Sequence, residues 1–362
     1  MKLRISDLMD VYEDDSLSLP RSLPLSPEVS PERIRERTML KCSETGRKKP
    51  RLLPRLLLCA ALAAVLSVSA IAAYQIWGPG DLFDGFFALE SAPLNQGQKE
   101  LLDEIGTTDL PPAVSGGTTL TPLAAISDEH NLYLRLRVEA PAGTVLPDMR
   151  EQEDHVFLNV SLRDTQTGEL LNWGMQKARF LPDNSLGDNV VELVFMLYGN
   201  PDSANWNDGV PKTLYLSDLL LYPDVTRQSG EYVLLEGDWS FEVSHFYQSR
   251  EIEVDAGGAE RWDPERERMV TLEELKLSPL SASFTLSYPA EGSWPFTQFE
   301  IELVCRDGSS IVVDGGNGFS DFGPDGQGGR DYFYGVHAFD APIPLDQIDH
   351  IQFGAYKLLL PE

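Results

Sequence analysis

The chain is 362 residues long, enough for about two ordinary domains plus accessory segments. Its formal charge of −28 is unevenly spread: residues 1–55 carry 12 Lys and Arg against 9 Asp and Glu, leaving 17 against 48 in the remainder. So acidic a body argues against nucleic-acid binding, which needs cations to displace phosphate counterions, and against adhesion of the body to anionic lipid.

The first 50 residues hold two short helical patterns. LRISDLMDVYED places Leu3, Leu8, Met9 and Tyr12 on overlapping turns. Ser30-Pro31-Glu32 opens the second with a capping serine, a proline at the first helical position and an acid in the first turn, before RIRERTMLK. The proline- and serine-rich stretch between them is expected to be extended or disordered. Such a tail cannot bury a core alone. It is either a solvated leader or a peptide that folds on a cytoplasmic partner, with Ile34, Met39 and Leu40 as the apolar contacts.

From Leu56 to Tyr74 no residue is charged. With Gln75, Ile76 and Trp77 the run reaches the ~20 residues that a helix needs to cross a bilayer. Lys48, Lys49, Arg51 and Arg55 flank its near side, which predicts a cytoplasmic N-terminus, while Tyr74 and Trp77 suit the far interface. A soluble core helix would be amphipathic, and this segment is apolar all round. The rival reading is an export signal cut after Ala72, because Ala70-Ile71-Ala72 is a small-residue pattern; signal peptides, however, start with a short charged leader. A single-pass anchor at 52–77 is the expectation.

Beyond the anchor, Asn95 to Ile105 reads as one helix. From Thr118 the apolar period changes to two. Leu132, Leu134, Leu136 and Val138 alternate with Tyr133, Arg135, Arg137 and Glu139, which predicts a strand with one buried and one wet face. HVFLNVSLRD repeats the pattern, with Val156, Leu158, Val160 and Leu162 facing in. VVELVFMLYG, KTLYLSDLLLY and a run carrying Trp239, Phe241 and Val243 on one face follow. The charged stretch DAGGAERWDPERERM is a candidate linker or long connection. After it come SASFTLSYP, a hairpin turning at Asp307-Gly308, and a closing strand pair. The expected fold is mainly β: a short helical tail at 1–51, the span at 52–77, and two antiparallel β-sandwich-like, Ig-like domains at 78–255 and 256–362, the first with a short leading helix.

Signs of chemistry are sparse. The three cysteines, Cys42, Cys59 and Cys305, leave one thiol after the span and no disulfide there, and no Cys/His cluster suits zinc. Cys305 shares a face with Phe299, Ile301 and Leu303, which favours a buried small hydrophobe over a reactive thiol. Asp314, Asn317, Asp321, Asp325 and Asp331 lie among glycines in a weak calcium-site pattern; their spacing departs from the twelve-residue calcium loop, and solvated acids on a hairpin loop explain them equally well. Trp173, Trp206, Trp239, Trp262 and Trp294 suit a sugar-stacking platform less well than core or loop anchoring. No nucleophile elbow, paired-histidine motif or cofactor loop is present, so neither enzyme activity nor a cofactor is expected.

TPLAAISDEHNLYLRLRVEAPAGTVLP at 121–147, LSPLSASFTLSYP at 277–289 and PIPLDQIDHIQFG at 342–354, together with the basic flank and span, carry a resemblance. The chain resembles anti-sigma-factor-like single-pass membrane proteins of Gram-positive bacteria with an extracytoplasmic domain of unknown function. The resemblance implies a cytoplasmic tail able to hold a sigma factor and an outer body that binds something at the envelope. It brings no site residues. One anti-sigma class uses a zinc-binding His/Cys motif in its tail, whereas this tail has Cys42 and no histidine, so that version is excluded. The leading expectation is therefore an envelope regulator. The alternative is an anchored surface module for a cell-wall polymer or protein, with an inert tail.

Overall fold

The computed structural model describes residues 77–148, 156–171, 173–182, 187–199, 211–221, 232–243, 250–264, 267–289, 300–313, 318–324 and 329–361. The tail contacts Ile34, Met39 and Leu40 and nearly all of the 52–77 run lie outside these residues. Among the described residues no helix is long and apolar enough to cross a membrane. The chain is mainly β, with two α-helices and several antiparallel sheets among the described residues.

Gly78 and Pro79 open α1 (Pro79–Glu90), proline taking a first-turn position whose N–H needs no partner. Leu82, Phe83, Phe86 and Phe87 recur at helical spacing and form its buried face. A capping box starts α2 (Gln96–Ile105): Asn95 Oδ1 accepts from the Gln98 N–H at 3.0 Å, and Gln98 Oε1 accepts from the Asn95 N–H at 3.0 Å. Sequence analysis assigns a helix at α2 and none at α1, which follows the glycine-proline break.

Ten strands follow: β1 (Gly106–Thr107), β2 (Ala113–Ser115), β3 (Thr118–Ser127), β4 (Asn131–Glu139), β5 (Phe157–Asp164), β6 (Leu170–Leu171), β7 (Trp173–Phe180), β8 (Val190–Gly199), β9 (Lys212–Leu221) and β10 (Tyr232–Glu242). One sheet runs β1-β3-β4-β8-β7 with β2 also on β3, and the other runs β10-β9-β5-β6. Leu134, Leu136 and Phe195 of the first share a core with Phe157, Leu214 and Trp239 of the second. The Phe157 and Phe195 rings meet edge to face at 5.6 Å.

A second set repeats this plan. It comprises β11 (Ile252–Val254), β12 (Glu260–Asp263), β13 (Arg268–Leu277), β14 (Ser281–Pro289), β15 (Ile301–Cys305), β16 (Ser310–Val313), β17 (Gly318–Pro324), β18 (Arg330–Ala338), β19 (Ile348–Phe353) and β20 (Tyr356–Leu358). The sheets run β11-β13-β14-β18-β17, with β12 on β13, and β16-β15-β19-β20. Each strand of the first unit therefore has a counterpart ten strands later, with the same neighbours. The register shift in β3 between Pro122 and Ala124 returns in β13 between Leu272 and Glu274, 150 residues on. The body is an internal duplication.

The two cores fill the same space with reversed partners. Leu134 pairs with Phe195 in the first unit; at the matching register, Phe284 pairs with Gly335 in the second. A Cβ on Gly335 would overlap the Phe284 ring, so the large side chain comes from β14 there and from β8 here.

Four expectations change. The candidate linker is folded: β12 and β13 form a hairpin, with Asp263 and Arg268 buried and 3.8 Å apart. Ile252–Val254, placed by sequence at the end of the first unit, pairs with β13 of the second. Leu158 is exposed and Phe157 buried, because β5 switches faces opposite a kink in β9 at Asp218, whose φ is +43°. Tyr133, expected on a wet face, is buried because α1 covers it.

Candidate functional site

The β3–β4 turn of one unit meets the equivalent β13–β14 turn of the other. Asp128 Oδ1 accepts from the backbone N–H groups of His130 and Asn131 at 2.9 and 2.7 Å. Its Oδ2 accepts from Ser278 Oγ at 2.6 Å and Ser281 Oγ at 2.5 Å. Ser278 in turn accepts from the N–H groups of Leu280 and Ser281, so each side chain braces its own turn and then the other's. Around this centre Arg250 pairs with Glu104 at 2.5 Å, and Glu251 stands 3.5 Å from His130 Nε2 and 3.8 Å from Lys276. Gln98 of α2 donates to the Pro342 carbonyl at 2.8 Å.

Beside the junction lies a cavity of about 140 Å³. The apolar lining is Phe86 and Phe87 of α1, Met196 of β8, and Phe339, which follows β18 in the second unit. Tyr133 and Tyr198 contribute their phenols, and both residues are 3% exposed. The Tyr198 hydroxyl reaches only the weak acceptor Met196 Sδ, at 3.5 Å, and the Tyr133 hydroxyl has no hydrogen-bond partner among the described residues. Burial pushes both phenols above their ordinary pKa, and the carboxylates of Glu90 and Asp340 push the same way. Charges of both signs form the more exposed lining: Glu90 paired with Arg179, Asp340, and Lys177, whose ammonium lies 5.6 Å over the Tyr198 ring.

The sequence-predicted site residues fall elsewhere. Asp321 and Asp331 lie on β17 and β18, whose register pairs Asp321 with Tyr334 and Asp331 with Pro324. That register puts them about 10 Å apart along the strands and on opposite faces, too far to share one cation. Asp314, Asn317 and Asp325 lie outside the described residues, among which no group of three acidic, His or Cys side chains is gathered. Trp239 is a core residue, Trp173 packs at the core edge, and Trp262 is exposed, so these three do not form a platform. Cys305 is half-exposed rather than buried, since the register slips between Val304 and Cys305. A larger cleft of about 650 Å³ beside it is lined by Ser309, Val312, Pro342 and Gln347. None of the cavity's residues carries a motif; Tyr133 and Tyr198 read as ordinary strand residues.

No protein-family model matches the chain, and no curated protein matches it. Among solved structures it is similar to a conserved domain protein from Bacillus anthracis, with 12% identity and a TM-score of 0.42 over 70% of this chain and 77% of that one. A likeness that distant carries no functional argument.

Proposed function

We propose that the chain is a single-pass membrane regulator of the anti-sigma-factor type. Its tail faces the cytoplasm, and two Ig-like sandwiches form an extracytoplasmic sensing body. One observation supports this above others: α1 starts at Pro79, directly after the apolar run, and its far end lines the cavity shared with the second unit. An occupant there touches the element joined to the span. Such an occupant shifts the tail's activity only if it binds two arrangements of that element unequally. The test uses residues 1–50 as bait for co-purification. Capture of a sigma factor is expected, and failure to recover any specific cytoplasmic protein removes the basis for the regulator.

A second reading, the anchored surface module, draws on the outer face of β14 and β18. The half-buried Tyr332 and Tyr334 rings of β18 lie there 6.3 Å apart at 20°. Stacked aromatic faces suit a sugar polymer. Deleting residues 1–45 separates the readings, because a regulator changes transcription on deletion and a surface module does not.

A further inference from the structure

We infer that the pocket between α1 and the two units binds an apolar monocarboxylate. Lys177 and two tyrosine hydroxyls hold its carboxylate, and its hydrocarbon part lies against phenylalanine. This rests on the reading of that pocket as the sensory site and names the chemistry it senses.

Three hydrogen-bond donors that lack a proper acceptor line this pocket. The Tyr133 hydroxyl has no hydrogen-bond partner among the described residues, and the Tyr198 hydroxyl reaches only the Met196 thioether. Both residues are 3% exposed, so each carries much of the penalty of an unmade buried hydrogen bond. Half-buried Lys177 has its ammonium 5.6 Å over the Tyr198 ring, and among the described residues no carboxylate lies within ion-pair distance of it.

A carboxylate answers all three. It only accepts, and its two oxygens offer about four lone-pair sites. Burial and the carboxylates of Glu90 and Asp340 raise both phenols, which therefore stay protonated and able to donate. A charge-assisted hydrogen bond outweighs a cation's contact with a ring face, so the guest draws Lys177 off Tyr198. An ammonium guest would instead face Lys177 and bring the phenols no acceptor. A wholly apolar guest would leave them as they are.

The rim sets the charge of the guest. Glu90 is held by Arg179, and Asp340 already has a partner of its own. Lys177 and Arg179 match Glu90 and Asp340 in number, so a single negative charge meets no net opposing charge, while a second would have no cation left to answer it. The rest of the lining is apolar: Phe86, Phe87, Met196 and Phe339. Hydrocarbon gains there in proportion to the area it takes out of water. The pocket is open on one side, so the length of the apolar part is not fixed by the walls. Phe86 belongs to α1 and Phe339 to the second unit, and a guest touching both ties the helical cap to that unit.

The full-length protein in detergent is titrated calorimetrically with phenylacetate and hexanoate, and its Tm is followed in parallel. Saturable binding and a rise in Tm are expected with at least one of the two. Phenylacetamide and phenethylamine keep the ring without the negative charge, and acetate keeps the charge without the apolar body. Each should bind at least about tenfold more weakly. Lys177→Met should weaken binding about tenfold and Lys177→Arg by less than about threefold. Tyr133→Phe should weaken it at least about threefold yet leave the empty protein no less stable, because the hydroxyl it removes has no partner. Trp262→Ala, in the second unit's β12, should change neither. Circular dichroism and unfolding curves establish that each variant is folded. The proposal is overturned if neither carboxylate binds by about 10 mM. It is also overturned if the amide, the amine or acetate binds as well, or if folded Lys177→Met binds unchanged. Capture of a sigma factor by the tail without carboxylate binding overturns the ligand class alone; binding without capture overturns the regulator alone.

Discussion

Asp128 and Ser278 occupy the same turn position in the two units and hydrogen-bond to each other at 2.6 Å. A contact between equivalent positions is what a two-fold dimer makes, here within one chain. Replacing Asp128 by Ala leaves the Ser278 and Ser281 hydroxyls and two backbone N–H groups without their acceptor. A loss of about 2–4 kcal/mol in urea unfolding is expected, because buried donors would go unpaired. A loss under about 0.5 kcal/mol would mean that water replaces the carboxylate.

The reversed core pairing gives a double-mutant cycle. Phe195→Gly should cost about 4–5 kcal/mol by leaving a ring-sized hole, and Leu134→Phe alone should cost about 1–3 kcal/mol by overpacking. The double variant reproduces the Phe284–Gly335 arrangement and should recover at least about 2 kcal/mol of the sum. Strict additivity would show that the two sites do not exchange volume.

Alkaline pH should weaken the protein through its buried phenols. Burial raises Tyr133 and Tyr198, and burial with the nearby Asp331 raises Tyr288 to about 12 against the opposing pull of Arg268. In the unfolded chain these groups release protons near pH 10, while the folded chain retains them. The stabilisation is therefore complete below about pH 10 and declines as pH rises through the folded values. Tm measured between pH 9 and 12 should fall more steeply for the wild type than for Tyr198→Phe. Equal slopes would refute this assignment.

The α1–α2 contact has the opposite dependence. Burial works against ionising Asp84, but hydrogen bonds from Lys99 and the Leu94 N–H, with the Lys99 charge, hold its pKa below the ordinary carboxylate value. Its contribution is present above that ordinary value and disappears as pH falls through the depressed one. Asp84 is part-exposed, so Asp84→Asn should cost only about 0.5–1 kcal/mol at pH 7 and should speed hydrogen exchange at the Leu94 amide. Unchanged exchange would show that the helix pair does not depend on this carboxylate.

Strand alternation was legible for the inward face of β4, where Leu132, Leu134, Leu136 and Val138 all reach the core. The duplication was not, because the outer faces meet different surroundings. Ala124, Ile126 and Tyr133 lie under α1 and α2, while Glu274, Lys276 and Ser283, 150 residues on, have no described helix above them. One architecture thus carries apolar residues in the first unit and polar ones in the second. The cavity was equally hidden, since Tyr133, Tyr198 and Phe339 come together only when the two units dock. Of the acid-rich glycine stretch, composition could not show that a strand register sends its two described aspartates to opposite sides.

Two near-copies in one polypeptide face a hazard that unrelated neighbours do not: during folding, a hairpin from one can enter the other's sheet. The reversed ring makes that exchange fail in both directions. β14 in the first unit would drive Phe284 into Phe195, and β4 in the second would set Leu134 opposite Gly335 and leave a gap. Each hairpin thus fits only its own sheet, a lock against strand trading written into four residues.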